Sequence, residues 1–391
     1  MTSSREDDAV VSASAEPGAE PVRGPGTWVP PEVGDEKPRA VRPEGGLRMG
    51  ALLWRLALGV GIGAVSLGIA VRRMMADAGE AAGEAGTLSL LWDAVRQVSA
   101  VDLVVYVLLF SLMHVIRLYR WAVQLAAVGE PRVGLVMRAG AVGFAAIIVL
   151  PLRLGEFVRP WLVAQEGRAS YGSAMGTAVV ERVVDGLLVS VFLALGILLS
   201  PVEPSVVVQR SALAVLVLFV TASGVLVAAV QRPDWVDRVV VGTVERVSRR
   251  VAGRVRRFLV GFTAGARSLA SGGVLWRYVG LTLLFWFVNA LSLWWWVRAF
   301  DYGLSLWGAF VVLSVLVIGL TIPSGPGFFG TFQLFLGEGL RLASPGRVPG
   351  VTGLALALGL NVVQLAVQVA MGAPLWLRYV RPRRRRPPQA E

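Results

Sequence analysis

Six charged residues lie in two short clusters within otherwise apolar sequence. They are Arg153, Glu156, Arg159, Glu181, Arg182 and Asp185. Glu156 and Arg159 are three positions apart, and Glu181 and Asp185 are four apart, so each pair can share one face of a helix. Guanidinium groups bind phosphate through paired hydrogen bonds. The pattern predicts a basic pocket for a phosphate-bearing headgroup, with the carboxylates orienting the arginines. A purely structural ion-pair network at helix ends would give the same pattern.

A second motif, at residues 323–330, carries glycine and proline but no charge. Such residues interrupt a helix and expose backbone donors and half-helix ends, which can face an anionic group. Gly325 and Gly327 are therefore candidate substrate-binding residues, as is Gly155 between Arg153 and Glu156. A hinge or a close-packing point is the alternative.

Several chemistries are excluded by composition. The chain has no cysteine and a single histidine, His114, so disulfides, thiolate metal sites and multi-histidine zinc centres are ruled out. No G-x-S-x-G or G-x-x-x-x-G-K-[ST] motif is present. We expect no catalytic residues, no metal and no cofactor, and we interpret His114 as a packing or interfacial residue.

The chain must place much of its surface in lipid. Of its 391 residues 55% are hydrophobic and only 16% are charged, and the mean hydropathy is +0.64. Soluble domains carry roughly 25% charge. These values predict an all-α, polytopic membrane protein, because only helices and closed barrels satisfy the backbone in lipid.

The charges of two basic stretches add up to the whole net charge of +12. Residues 231–277 carry a net charge of +7 and residues 378–391 carry +5, whereas residues 1–48 carry −3. Arginine-rich flanks of membrane segments are typical of the cytoplasmic side. We therefore expect a disordered cytoplasmic tail (1–48), a transmembrane domain (49–380) with a cytoplasmic arginine-rich segment (231–277), and a basic cytoplasmic tail (381–391). The membrane orientation accounts for the basic charge, so we expect no nucleic-acid partner.

Residues 240–262 form a predicted amphipathic helix. Apolar residues recur every three or four positions from Val240 to Phe262, and arginines occupy most of the other face. This pattern suits the headgroup region of an anionic inner leaflet. A cytoplasmic helix packed on the protein's own loops is the alternative.

About seven or eight membrane helices are predicted. The apolar runs are 51–71, 103–116, 187–199, 211–230, 278–297, 304–322 and 351–377, with a shorter run at 139–150. If residues 231–277 and the C-terminus share one side, the number of crossings between them must be even, yet three runs lie there. Either one of them is not a full span or another helix follows Pro323. The run 139–150 fits one arm of a re-entrant hairpin.

The two interrupted helices are related by a shift of 172 residues. Without a gap, six of 17 positions are identical between residues 151–167 and 323–339. Paired segments broken by glycine and proline in two halves of a chain are a pointer to a transporter binding site. The shift predicts two re-entrant or broken helices and is compatible with an inverted repeat.

These motifs resemble the lysylphosphatidylglycerol synthase transmembrane-region family. The resemblance rests on P-x-R-x-G-E-x-x-R-P at 151–160, E-R-x-x-D at 181–185, P-G-x-x-G at 326–330 and Arg120-Trp121, and it covers roughly residues 50–380. It implies a polytopic protein of the bacterial inner membrane that moves a lipid or lipid-linked headgroup between leaflets. Members of the family with a C-terminal aminoacyl-transferase domain extend further, so lysyl transfer is not expected here. Gln333 stands where such proteins commonly have glutamate.

The leading interpretation is a flippase-like lipid translocase that is not an enzyme. Its expected partners are membrane lipids and, as a candidate, a glycosyltransferase or lipid-synthesis enzyme. A membrane-embedded transferase acting on a lipid or polyprenyl substrate, and a non-transporting partner of lipid enzymes, are the alternatives.

Overall fold

The computed structural model describes residues 49–78, 92–93, 96–129, 132–167, 169–199, 206–246, 248–270, 272–322, 324–344 and 350–380. Over these ranges the regular structure is helical and contains no strand. The prediction of an all-α fold is confirmed. The predicted tails, 1–48 and 381–391, lie outside the described residues.

Thirteen α-helices are described, together with short 3-10 and π-helical turns. The α-helices are α1 (Met49–Ala78), α2 (Ala100–Leu125), α3 (Val133–Val149), α4 (Val158–Gln165), α5 (Tyr171–Leu198), α6 (Val206–Gln231), α7 (Pro233–Val236), α8 (Gly242–Glu245), α9 (Arg249–Ala266), α10 (Gly272–Arg298), α11 (Leu306–Gly319), α12 (Thr331–Ala343) and α13 (Gly350–Val380). The turns are the 3-10 helices Pro151–Phe157, Arg267–Ala270 and Pro326–Phe328, and the π-helical turn Asp237–Val241.

Serine residues fix the start of several helices. The hydroxyls of Ser99, Ser170 and Ser305 accept hydrogen bonds from the backbone N–H three residues later, at the beginning of α2, α5 and α11. This satisfies one of the free donors that every helix leaves at its N-terminus. Pro151 begins the first 3-10 helix, where its missing N–H costs nothing.

Four of the described helices, α2, α6, α10 and α13, are long and apolar enough to cross a bilayer. Helix α5 has 28 residues, which is also sufficient, but it carries Glu181, Arg182 and Asp185. Helix α6 presents exposed apolar side chains along its length, including Leu213, Leu218 and Val225. These side chains make α6 a lipid-facing helix, in agreement with a polytopic membrane protein.

Two helix pairs are too short to cross. Helix α3 has 17 residues and α11 has 14, so they extend about 25 and 21 Å, less than the roughly 30 Å of hydrocarbon. Each is followed by a 3-10 turn and a second short helix that packs back against it. We call α3–α4 (133–165) the first hairpin and α11–α12 (306–343) the second hairpin. The apolar run 304–322 is therefore not a full span, which leaves α10 and α13 as the crossings beyond residue 277 and resolves the odd count.

The repeat extends well beyond the two breaks. Moving α2 by 172 residues gives 272–297, which is α10 to within one residue. The same shift carries α3 to 305–321, against α11, and α4 to 330–337, within α12. It also pairs Tyr106 with Tyr278, and both are buried. The two four-helix units are thus α2–α5 and α10–α13.

Packing between the two units is reciprocal. Helix α2 contacts α10, α3 contacts α13, and α5 contacts α11. Exchanging equivalent helices leaves this set of contacts unchanged, as a pseudo-two-fold axis requires. Arg120 of α2 contacts Tyr278 and Thr282 early in α10, whereas Tyr106 contacts Trp296 late in α10. The equivalent helices α2 and α10 therefore run antiparallel, and the repeat is inverted.

Helix α1 lies against the second unit and packs on α12 and α13. Its Gly59 is so close to Gly325 that an added methyl group on Gly59 would lie 3.2 Å from the Gly325 Cα. Gly63 similarly leaves room for the backbone of Phe329. Arg73 pairs with Glu338 of α12. Glycine contacts of this kind let helix backbones approach closely in membranes.

The arginine-rich segment 231–277 folds into a helical hairpin at the end of α6. Arg256 donates two hydrogen bonds of 2.9 Å to Asp237, which raises the pKa of Arg256, and Arg267 donates to the carbonyl of Val230. These contacts place α9 antiparallel to the end of α6 and its extension. Gly261 and Gly265 of α9 pack against the first turns of α5. Contact between residues 240–262 and an anionic leaflet stays a prediction.

Candidate functional site

Buried ion pairs centred on Glu181 connect three helices. Its carboxylate lies 3.0 Å from Arg159 Nη1, 3.4 Å from Arg120 Nη2 and 3.5 Å from Arg117 Nε. Arg120 and Glu181 are fully buried, and Arg159 is nearly so. A charge removed from water in this way needs compensation. Glu181 thus joins α5 to α2 and to the first hairpin.

Asp185, one turn further along α5, is paired as closely. Arg120 donates to both carboxylate oxygens, at 2.7 and 2.8 Å, in the bidentate geometry that suits a guanidinium. The indole N–H of Trp286 donates to the same carboxylate at 3.2 Å, and Arg120 also donates to Thr282 at 3.3 Å. Asp185 therefore connects α2, α5 and α10.

The third carboxylate, Glu156, pairs with Arg182 at 3.3 Å. Both side chains are partly exposed, in contrast to the Glu181 pairs. Residue Glu156 lies in the 3-10 turn that interrupts the first hairpin, where helix geometry gives way to a tighter turn. Since Arg182 is held by the break itself, the position of its guanidinium depends on the hairpin.

Aromatic rings hold the guanidinium groups from a second direction. Arg159 lies over the Trp121 ring at 4.7 Å, and Arg117 lies over the Phe144 ring at 4.2 Å. Cations are attracted to ring faces, most strongly where water is excluded. We call Arg117, Arg120, Arg159 and Arg182 the arginine cluster. Its four cations meet three carboxylates, which leaves one surplus positive charge.

A cavity of about 180 Å³ adjoins this cluster. Its polar lining residues come from α2, α5, α10 and α13: His114, Arg117, Arg182, Asp185, Asn289, Asn361, Gln364 and Gln368. Its apolar lining includes Phe144 and Ile147 of the first hairpin and Phe328 and Phe332 of the second. The cavity therefore lies at the interface of the two inverted repeats, where transporters of this architecture bind substrate.

The second break is held by amide side chains. The backbone N–H of Gly330 donates to Gln333 Oε1 at 2.6 Å, and Gln333 Nε2 donates to Asn361 Oδ1 at 3.3 Å. Asn361 Nδ2 then donates to the carbonyl of Gly327 at 3.1 Å. Gly327 has φ +71° and Gly330 has φ +85°, values that favour glycine. Gln333 thus caps α12 and ties the break to α13; a carboxylate could accept from Gly330 but could not donate to Asn361.

The structure brings together only part of the predicted site. Arg159, Glu181 and Asp185 belong to one set of ion pairs that is connected through Arg120, and Glu156 and Arg182 form a separate pair. Arg182 and Asp185 line the cavity.

Two of the three candidate glycines at the breaks have packing roles. Gly155 lies against α3, where an added methyl group would be 2.1 Å from the Ile147 nitrogen, and Gly325 lies against Gly59 of α1. Gly327 accepts from Asn361 through its carbonyl, next to the cavity. The backbone of Arg153 lies in the 3-10 turn, but its side chain is outside the described part of the chain.

Sequence reasoning missed Arg117 and Arg120 as site residues. Both follow an apolar run, a position that also fits arginines at the cytoplasmic boundary of a membrane helix. Their spacing of three, which places two cations on one helical face, was the available signal. His114 was interpreted as a packing residue. It is buried, with Nδ1 3.1 Å from the carbonyl of Phe110, and it also lines the cavity.

Comparison with known proteins identifies the family but no individual relative. No curated protein and no solved structure matches the chain. Among the described residues, no group of three histidine or acidic side chains is placed to hold a metal ion. The family described as the lysylphosphatidylglycerol synthase TM region matches residues 85–372, which include both hairpins, the arginine cluster and the cavity. This family is tied to lipid metabolism or translocation, and the chain is an integral membrane protein that belongs to it.

Proposed function

We propose that the chain is a lipid translocase of the bacterial cytoplasmic membrane and not an enzyme. In this proposal it moves a phosphate-bearing headgroup of a phospholipid or lipid-linked compound between leaflets. The observation that carries the proposal is the surplus positive charge of the arginine cluster at a cavity between two broken hairpins. Charged groups inside a membrane protein are costly and normally face a partner or a substrate.

Arg117 and Arg182 are the cations that can meet an anion in the cavity. Both line it, whereas Arg120 and Arg159 are enclosed by carboxylates and rings. Arg117 is the third cation around Glu181 and its Nε lies farthest from that carboxylate, at 3.5 Å, so an incoming phosphate competes with a weak ion pair. Glu181, Glu156 and Asp185 then act as positioning residues that keep the guanidinium groups in place.

The volume of the cavity supports a mechanism in which the headgroup alone passes through the protein. A volume of about 180 Å³ is below the 300–1,000 Å³ typical of pockets for drug-sized ligands. The cavity suits one headgroup, and the acyl chains remain in lipid. Because the repeats are inverted, exchanging the conformations of the two hairpins would open the same site to the opposite leaflet.

The distribution of arginine supports one orientation in the membrane. With residues 231–277 and 378–391 in the cytoplasm, the first hairpin enters from the cytoplasmic side and the second from the opposite side. Both termini are then cytoplasmic, and α1 is the first crossing.

Leaflet exchange in proteoliposomes tests the proposal. The full chain is reconstituted with a headgroup-labelled anionic phospholipid, and loss of label from the inner leaflet is followed. We expect wild type to exceed empty vesicles, and Arg117→Gln and Arg182→Gln each to reduce exchange at least tenfold. The matched control is Arg138→Gln, an exposed arginine of α3 that does not line the cavity.

Two results would count against the proposal. One is equal exchange in empty and wild-type vesicles across phosphatidylglycerol, phosphatidic acid and a prenyl phosphate. The other is undiminished exchange by both cavity variants. Thermal unfolding of each variant shows whether a lost activity reflects a lost fold.

A further inference from the structure

We infer that the transported headgroup is a phosphate linked to a neutral hydroxylated group, such as a sugar or polyol, and not a cationic aminoacyl group. The inference rests on the proposed function and names the substrate class of the same site. Two observations carry it, one on the acids around the cavity and one on the amides that line it.

The acids beside the cavity are already engaged. Asp185, the one carboxylate among the described lining residues, accepts two hydrogen bonds from Arg120 and a third from Trp286. Glu181 has three arginines around it and Glu156 has Arg182. A lysyl or alanyl ammonium group would enter a cavity with surplus positive charge and would have to displace an arginine from a bidentate pair. Unpaired charges of like sign are a strong basis for rejecting a ligand.

Amide side chains supply a second wall of the cavity. Asn361, Gln364 and Gln368 are three and four positions apart on α13, so they occupy one face of that helix, and Asn289 of α10 joins them at the cavity. An amide offers both a donor and an acceptor, which matches a hydroxyl group that is itself both. Amides bind neutral hydroxylated groups without the desolvation cost of a charge. The rings of Phe285 and Trp286 provide apolar surface for the C–H groups of a sugar or polyol.

The two walls are contributed by different repeats. The guanidinium groups come from α2 and α5 of the first unit, whereas the amides come from α10 and α13 of the second. A headgroup that contains a phosphate at one end and hydroxyls at the other can therefore contact both units at once. Phosphate alone would use only the first unit.

The experiment is a binding comparison with the full chain in phosphatidylcholine nanodiscs. Isothermal titration calorimetry is run with dioctanoyl phosphatidic acid, dioctanoyl phosphatidylinositol, dioctanoyl lysylphosphatidylglycerol and a short-chain prenyl phosphoryl hexose. We expect the two hydroxylated ligands to bind at least tenfold more tightly than lysylphosphatidylglycerol. Which of the two binds more tightly separates a glycerolipid from a prenyl-linked sugar.

Matched variants separate the two walls. Asn289→Leu with Gln368→Met retains side-chain volume but removes two amides, and we expect about a tenfold loss of affinity for the hydroxylated ligands with phosphatidic acid unchanged within twofold. Arg117→Gln should weaken all phosphate ligands together. Asn361 is left intact because it holds the second break.

The outcomes distinguish this inference from the proposed function. If phosphatidic acid binds in an Arg117-dependent way but the hydroxylated ligands gain nothing, or if lysylphosphatidylglycerol binds most tightly, the substrate class is wrong and the phosphate site stands. If no phosphate ligand binds, or if Arg117→Gln has no effect, the proposed function fails and this inference fails with it.

Discussion

The two hairpins share a backbone plan but hold their breaks by opposite means. In the first hairpin the break carries Glu156, and ion pairs connect the hairpin to α5 and, through Glu181, to α2. In the second hairpin the break is uncharged, and glycine contacts with α1 and amide bonds to α13 keep it in place. An inverted repeat therefore fixes where a chain is broken, while the chemistry at each break can diverge. The first hairpin is held by charged side chains, and the second by a close-packed turn.

The largest effect on the ion pairs around the first hairpin is expected for Arg120→Gln. This change leaves Asp185 buried without its bidentate partner, and breaking a buried pair typically costs about 3–5 kcal/mol. We expect the free energy of unfolding, measured in detergent, to fall by that amount.

The double variant Arg120→Gln with Asp185→Asn removes both charges and is its control. We expect it to recover more than half of the loss, because neither charge is then left alone. A double variant no more stable than the single one would show that the pair itself, rather than the orphaned charge, stabilises the fold.

Equivalent glycines should respond differently to the same substitution. At Gly155 an added methyl group would lie 2.1 Å from the Ile147 nitrogen, a backbone atom that cannot move freely. We expect Gly155→Ala to cost about 3 kcal/mol, at the upper end of overpacking. It should also displace the Arg182 guanidinium, because the break that carries its partner Glu156 would shift away from α3.

At Gly327 the nearest atoms to an added methyl group are side-chain carbons at 3.1 and 3.2 Å, but φ is +71°. We expect Gly327→Ala to cost about 1–2 kcal/mol, the penalty of a left-handed residue. Gly224→Ala is the control for both, because Gly224 is helical and has open space around its Cα. We expect this variant to be slightly more stable than the parent protein. Equal losses at Gly155 and Gly327 would contradict the distinction between the two breaks.

A smaller effect is expected for Gln333→Glu. The carboxylate can still accept from Gly330, but it cannot donate to Asn361. We expect a loss of about 1 kcal/mol, the value of one hydrogen bond, with leaflet exchange retained. Thermal unfolding together with the proteoliposome assay checks both parts, and abolished exchange in a stable protein would instead give position 333 a role in transport.

The weakest effect on stability is expected at α9, outside both hairpins. We propose that its exposed arginines contact the anionic leaflet. Because these side chains are exposed, replacing Arg249, Arg250, Arg254 and Arg257 with Gln should change the free energy of unfolding by less than 0.5 kcal/mol, as is usual on surfaces. Because the chain has no cysteine, a fluorophore can be attached at Gly253→Cys alone. Brominated anionic lipid should quench it in the parent and not in the four-arginine variant. Equal quenching in both would remove the leaflet contact.

Local spacing predicted much of the fold and part of the site. The 172-residue shift located both breaks because glycine and proline leave a sequence trace wherever a helix is interrupted. The clusters around Glu156 and Glu181 were visible because charges are rare in apolar sequence. By contrast, Arg120 and Asp185 are 65 positions apart, and no periodicity within either helix indicates that they meet.

Glycine was harder to interpret than charge. Gly155 and Gly325 both lie at predicted breaks, but their roles depend on what packs against them from elsewhere in the chain. Gln333 shows the same limit: its cap contact with Gly330 is local, but its bond to α13 depends on Asn361, 28 positions later. Sequence identifies residues that are out of place in lipid, whereas the partner that explains each one is set by tertiary packing.

Helix α6 has a consequence for how the chain inserts. Each four-helix unit crosses the bilayer twice, through α2 and α5 or through α10 and α13, and so begins and ends on the same side. Two such units joined directly would both insert in the same orientation. One additional crossing between them is what turns the second unit over, and α6 is that crossing. A largely exposed helix thus determines that the two units insert in opposite orientations, and an even number of crossings there would have produced a tandem array instead.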